Sequence, residues 1–180
     1  EHIREWRKLG LKFRGICTGF LGSEEQIAIV SSFIDEFGGP KCIVMVDPVM
    51  GDEGRPYGTY TPAMCQRMAE LTAKADIITP NLTEACILGN IPYNSAMTCE
   101  DAGKLAQALS SAGPARVVIT GIEHAGQVSN VCFERGGQPF VVQTAKLGGQ
   151  RRRRQRRAAG RIGGEGIALR GRMRAARHRA

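Results

Sequence analysis

An α/β layer sandwich with a largely parallel sheet is the fold class this sequence predicts, on three observations. Strand-length apolar runs alternate along the chain with segments of helical period. The runs at Cys42–Val49, Ala75–Pro80 and Ala115–Gly121 are continuously apolar through their middles, as in strands covered on both faces. Each also ends in polar, turn-forming residues: Asp47-Pro48, Thr79-Pro80-Asn81 and Thr120-Gly121. The 180 residues suffice for one domain with a sizeable core.

Taken in order, EHIREWRKLGLKF reads as an amphipathic helix without Met or N-cap, so the chain is expected to begin inside a fold. GICTGFLGS predicts a short strand running into a glycine turn. Ser23 then caps a helix, with Gln26 as the other half of a capping box. Its apolar face is Ile27, Val30, Phe33, Ile34 and Phe37, and Gly38-Gly39-Pro40 stops it. After the strand at Cys42–Val49, Thr61 and Pro62 open a helix that turns Met64, Met68 and Leu71 inward. ADIITP is a second buried strand, and Asn81 to Gly89 a short helix. Thr98, followed by Glu100 and Asp101, caps a longer helix with Ala102, Leu105, Ala106 and Leu109 on one face. ARVVITG is a third apolar strand. QVSNVCFE and QPFVVQT form a final pair joined at Gly136-Gly137.

The formal net charge of +8 does not describe the folded part. Residues 151–180 hold twelve arginines and one acid, Glu165, which leaves residues 1–150 at a net of −3. A nucleic-acid role therefore does not follow from whole-chain basicity and is not expected of the globular part. No run approaches the ~20 apolar residues of a membrane span, and none is expected. The six cysteines (Cys17, Cys42, Cys65, Cys86, Cys99 and Cys132) stand singly, which argues against structural zinc and a disulfide scaffold. They read as buried free thiols in a reducing cytoplasm.

In open parallel sheets ligands collect at the carboxyl ends of strands, where the three polar strand ends lie. A triphosphate with Mg²⁺ suits that rim. Magnesium takes oxygen ligands, keeps several waters and uses one or two carboxylates beside the phosphates. Asp47 and Asp52 are the candidates, with Gly51 allowing close backbone approach. Asn81 and Glu84 begin a helix, where N–H groups favour anions; their spacing is equally that of a capping box, so a purely structural role stands beside the functional one. Thr120 and Gly121 offer a hydroxyl and an open backbone. His2, His124 and His178 are isolated, and the phosphate-binding pattern G-x-x-x-x-G-K-[ST] is absent.

The segments TGFLGSEEQ, VDPVMGDEG, ADIITPNLTEA and VVITG, in this order, resemble the pyridoxal (vitamin B6) kinases of the ribokinase-like superfamily over residues 10–148. GFLGS and the D-x-G after DPVMG favour that family over the related hydroxymethylpyrimidine kinases, which remain the alternative. The resemblance implies a ribokinase-like layer sandwich and phosphoryl transfer from MgATP to the 5′-hydroxyl of pyridoxal, pyridoxine or pyridoxamine. It matches Asp47, Asn81, Glu84, Thr120 and Gly121 to ATP binding. Asp52, Asp47 and Thr79 match the Mg²⁺ and monovalent-cation sites, and Phe20 an aromatic beside the pyridine ring. A homodimer is also implied.

Two parts of the family pattern are missing. No counterpart of its first segment precedes Glu1, so the sheet is expected to be incomplete at both ends. Beyond KLGG the family continues into a glycine-rich G-T-G-D turn whose aspartate is the general base. Here the text becomes arginine-rich, and no aspartate follows Asp101, so no catalytic residue is assigned. Residues 1–149 thus read as a partial kinase domain with impaired activity. Residues 150–180 read as a disordered or out-of-frame tail, with an RNA-binding arm as the competing account.

Overall fold

A computed structural model describes residues 2–146. The expectations for residues 150–180 lie outside the described residues. Helix α1 (His2–Lys8) leads into strand β1 (Gly15–Thr18), helix α2 (Glu24–Phe37) and strand β2 (Ile43–Val46). A two-residue-per-strand hairpin, β3 (Gly51–Asp52) and β4 (Arg55–Pro56), precedes α3 (Pro62–Thr72), β5 (Ile77–Ile78) and α4 (Leu82–Leu88). Helix α5 (Cys99–Ser111) then returns the chain to β6 (Arg116–His124), β7 (Gln127–Glu134) and β8 (Phe140–Ala145).

The main sheet runs β1-β2-β5-β6-β7-β8. Its first four strands are parallel, and β6, β7 and β8 are joined antiparallel. The mostly parallel α/β layer expected from the alternation is therefore present, with an antiparallel flank formed by the predicted final strand pair.

Most helix starts are where the caps place them. Thr61, Asn81 and Thr98 each accept the N–H three residues on. Ser23 does likewise for Gln26, but the reciprocal half of that capping box differs from expectation. The Gln26 side chain accepts from Gly22 N–H at 2.8 Å, one residue before the cap, and so ties down the loop entering α2.

Register explains the core. Ile16 pairs with Val44, Val46 with Ile78, Ile78 with Val117, and Val117 with Phe133, so all share one face of the sheet. All are buried, together with Ile27 and Ile34 of α2, Met64, Met68 and Leu71 of α3, Ala85 of α4 and Ala102 and Ala106 of α5. Trp6, Phe13, Phe33 and Phe37 form an aromatic cluster that seats α1 against α2, with ring centroids 4.7–5.7 Å apart.

The second face corrects the expectation of strands covered on both sides. The strand predicted over Cys42–Val49 spans Ile43–Val46, and its burial alternates: Val44 and Val46 are buried while Ile43 is 56% exposed. Cys17, Met45 and Ile77 share Ile43's side of the sheet through the register, and Cys17 is exposed rather than buried. Phe140 and Val142, both more than half exposed, continue that apolar face onto β8. An unbroken apolar run makes both sides of a strand apolar, but the described helices pack on only one of them. Among the described residues no helix is long and apolar enough to cross a membrane.

Candidate active site

The parallel strands stop in step, and backbone bonds stitch their exits into one line. Asp47 leaves β2 with its N–H donating to the Thr18 carbonyl at the end of β1 (3.2 Å). Thr79 leaves β5 with its N–H on the Val46 carbonyl (3.2 Å), and its hydroxyl donates to Asp47 Oδ1 at 3.3 Å. Thr120 N–H donates to the Pro80 carbonyl (2.9 Å), and Thr120 pairs with Asn81 as an isolated parallel bridge. The geometry therefore brings Asp47, Thr79, Asn81 and Thr120, scattered over 74 positions of sequence, onto a single edge of the sheet.

Thr120-Gly121 does not end its strand, contrary to expectation. β6 continues to His124 and turns through Ala125-Gly126 into β7, with a register irregularity between Ile119 and Ile122. Gly121 sits in that bulge at φ +74° and donates its N–H to Asn130 Oδ1 (3.2 Å). The bulge lets an antiparallel partner pair beyond the point where β5 has already turned into α4.

The first turn of α4 grips the loop that follows β2. Asn81 and Glu84 form the full capping box, Glu84 N–H on Asn81 Oδ1 (2.9 Å) and Asn81 N–H on Glu84 Oε2 (2.8 Å). The same two side chains reach across. Asn81 Nδ2 donates to the Gly51 carbonyl (2.8 Å), and Glu84 Oε1 accepts Met50 N–H (3.2 Å). Thr83, between them and 4% exposed, accepts Gly54 N–H on its hydroxyl at 2.9 Å. Capping and cross-linking thus use different atoms of the same two side chains, so the capping expected of Asn81 and Glu84 is present and the pair also pins the loop after β2.

Glu84 is 3% exposed, and burial pushes its carboxyl up to about 7 despite the N–H groups of Asn81, Met50 and Gly51 that favour the anion; neighbouring Asp47 adds to the rise. Desolvation outweighs hydrogen bonding here because neutral N–H donors offset only part of the loss of water around a buried charge.

Asp52 is the exposed residue of strand β3, beside buried Gly51, with Oδ1 accepting Glu53 N–H (2.9 Å). Gly51 has a different reason from close ligand approach: a Cβ there would run into the Arg55 carbonyl of its own hairpin. Phe20 lies in the loop after β1, 56% exposed, with its ring edge-on to Tyr60 at 6.1 Å. Tyr60 is held by its hydroxyl on the Leu21 carbonyl (2.8 Å). Sequence reasoning missed Thr83, Asn130 and Tyr60. The first stands between Asn81 and Glu84 in ADIITPNLTEA, where their capping spacing leaves the residue unspecified, and the other two act across 9 and 39 residues.

No group of three His, Cys, Asp or Glu able to hold a metal occurs among the described residues. The oxygen donors at the rim, half-buried Asp47 and exposed Asp52, nevertheless fit a hard cation that keeps part of its water shell.

Residues 9–152 match the phosphomethylpyrimidine kinase family. A pyridoxal kinase of Arabidopsis thaliana is 32% identical over 118 residues, covering 64% of this chain and 37% of that protein. A crystal structure from Bacteroides thetaiotaomicron, of a protein assigned as a phosphomethylpyrimidine kinase and in a form with pyridoxal, shares 39% identity at a TM-score of 0.77. It covers 81% of this chain and 52% of that one. The pyridoxal kinase of Staphylococcus aureus in complex with AMP-PCP and pyridoxal aligns at 25% identity and a TM-score of 0.65, covering 79% and 49%. The chain spans between about two fifths and a half of the relatives it matches. On that match and the shared layer architecture, the chain belongs to the phosphomethylpyrimidine kinase family of ribokinase-like proteins.

Proposed function

We propose that these residues form the nucleotide and magnesium side of a pyridoxal-kinase-like phosphotransferase. The reaction moves the γ-phosphoryl of ATP to the 5′-hydroxyl of pyridoxal, pyridoxine or pyridoxamine. The observation that carries this reading is the single polar edge made by Asp47, Thr79, Asn81 and Thr120 beside the Asp52 hairpin. Asp52 and Asp47 would hold Mg²⁺ with water and phosphate oxygens completing its shell, and Mg²⁺ would neutralise phosphate charge. Thr79 with Asp47 offers oxygens to a monovalent cation. Thr120 and Gly121 face the phosphates, and Asn81 and Glu84 serve the nucleotide through the loop they hold. Phe20 presents an open aromatic face to a pyridine ring. The relatives that carry pyridoxal and AMP-PCP support the substrate pair.

Calorimetric titration with ADP, with and without Mg²⁺, tests the reading. Magnesium-dependent binding that Asp52→Asn weakens is the expected result; no nucleotide binding by the folded chain overturns it. No aspartate follows Asp101 in the 180 residues, so a coupled assay is expected to give turnover on the order of 100-fold or more below a kinase that has its general base. The family match, together with a hydroxymethylpyrimidine/phosphomethylpyrimidine kinase of Haemophilus influenzae that is 29% identical over 133 residues, supports hydroxymethylpyrimidine as a second acceptor. Competition between it and pyridoxal for binding in the presence of AMP-PCP decides between them. The reading includes a cytoplasmic setting, for the reduced cysteines, and a homodimer that sedimentation velocity would detect.

A further inference from the structure

We propose that Thr83 is a positioning residue that fixes the tip of the hairpin carrying Asp52, and so sets how strongly magnesium assists nucleotide binding. This inference rests on the reading of Asp52 as a magnesium-side carboxylate. Strands β3 and β4 contribute two residue pairs, Gly51 with Pro56 and Asp52 with Arg55, far too few for a hairpin to hold itself. Its two turn residues, Glu53 (φ +51°) and Gly54 (φ +79°), are both left-handed, the geometry of a type I′ turn. In that turn the Gly54 N–H points away from the hairpin. It meets the Thr83 hydroxyl at 2.9 Å.

Three side chains from one turn of α4 therefore divide the work. Glu84 takes Met50 N–H and Asn81 takes the Gly51 carbonyl, which anchors the base of the hairpin. Thr83 alone among the three reaches the far side of Asp52, at Gly54. From the other direction Tyr93 closes over the tip: a Cβ at Gly54 would lie 2.6 Å from its ring. Asp52 is thus held from both sides in sequence although its own side chain is exposed. Without the Thr83 bond the base stays anchored while the tip loses its tether, and the carboxylate samples a wider range of positions. A group that acts through a metal is sensitive to such displacement, whereas contacts to the nucleotide made along the sheet edge are not.

The test compares Thr83→Val, which keeps the shape and removes the hydroxyl, with Thr83→Ser, which keeps the hydroxyl. Thr83→Ala replaces the valine variant if that one does not fold. ADP affinity is measured with and without Mg²⁺, and the ratio of the two is the readout. Thr83→Val is expected to lower the magnesium enhancement by about 5-fold, the equivalent of one hydrogen bond of about 1 kcal/mol. Metal-free ADP affinity is expected to stay unchanged and Thr83→Ser to restore the ratio. Hydrogen exchange at the Gly54 amide is expected to speed up by a similar factor in Thr83→Val only. Equal magnesium enhancement in the parent and Thr83→Val overturns the inference while leaving the kinase reading intact. A parent chain that binds ADP without any response to magnesium removes the reading of Asp52, and the inference falls with it.

Discussion

Replacing Glu84 with glutamine asks whether burial or hydrogen bonding governs that carboxyl, because the two make opposite predictions with pH. The ordinary value of 4.5 moves to about 7 in the folded chain. Between those limits the unfolded chain has released the proton and the native chain still holds it. Native protein therefore binds more protons, and stability falls as pH rises: the contribution is complete below 4.5 and gone above about 7. At about 1.4 kcal/mol per pH unit, that window corresponds to roughly 3 kcal/mol. Glutamine resembles the neutral acid in shape. Its Nε2 would oppose either Met50 N–H or Asn81 N–H, a mismatch that costs about 1–3 kcal/mol at every pH. Urea unfolding of both proteins at pH 5, 6, 7 and 8 separates these effects, since every other titrating group is common to the pair. The parent is expected to be the more stable at pH 5, with the gap narrowing by roughly 3 kcal/mol by pH 8. A gap that stays constant, or widens with pH because the anion is the better acceptor for its N–H donors, refutes the reasoning.

Gly54→Ala forces a Cβ onto a residue at φ +79° and to within 2.6 Å of the Tyr93 ring, so a loss on the order of 2 kcal/mol is expected in thermal unfolding. Met68→Ala opens the centre of the core, where Met68 is 0% exposed, and should cost about 2–5 kcal/mol in urea. Arg135→Met keeps the aliphatic stem but removes the donor to the carbonyls of Ser110 (2.6 Å), Gly113 (2.7 Å) and Pro114 (3.2 Å). Those groups close the end of α5, and a loss of about 1–3 kcal/mol with faster amide exchange in the last turn of α5 is expected.

Much of this protein was legible one turn at a time. Thr61-Pro62, Asn81 with Glu84, and Thr98 mark helix starts because a cap is a contact between residues three apart, and such contacts are written in consecutive letters. Met64, Met68 and Leu71 face inward because helical period alone puts them on one side. What the letters left open are the uses of those residues at a distance. Asn81 and Glu84 cap α4 and also hold a loop 30 and 34 residues upstream, and no local pattern separates a cap that does only the first from one that does both. The exit of β6 is another case. ITG reads as a strand end, but Asn130 supplies a partner for Gly121 and the pairing with β7 carries the strand onward. The exposure of Ile43 likewise depends on which faces the helices cover, which an apolar run cannot state. Local sequence determined where the elements begin and which side of each is apolar, since those are short-range properties of the chain. Tertiary structure decided which polar ends meet, because that depends on strand order and register, set only when distant segments pair.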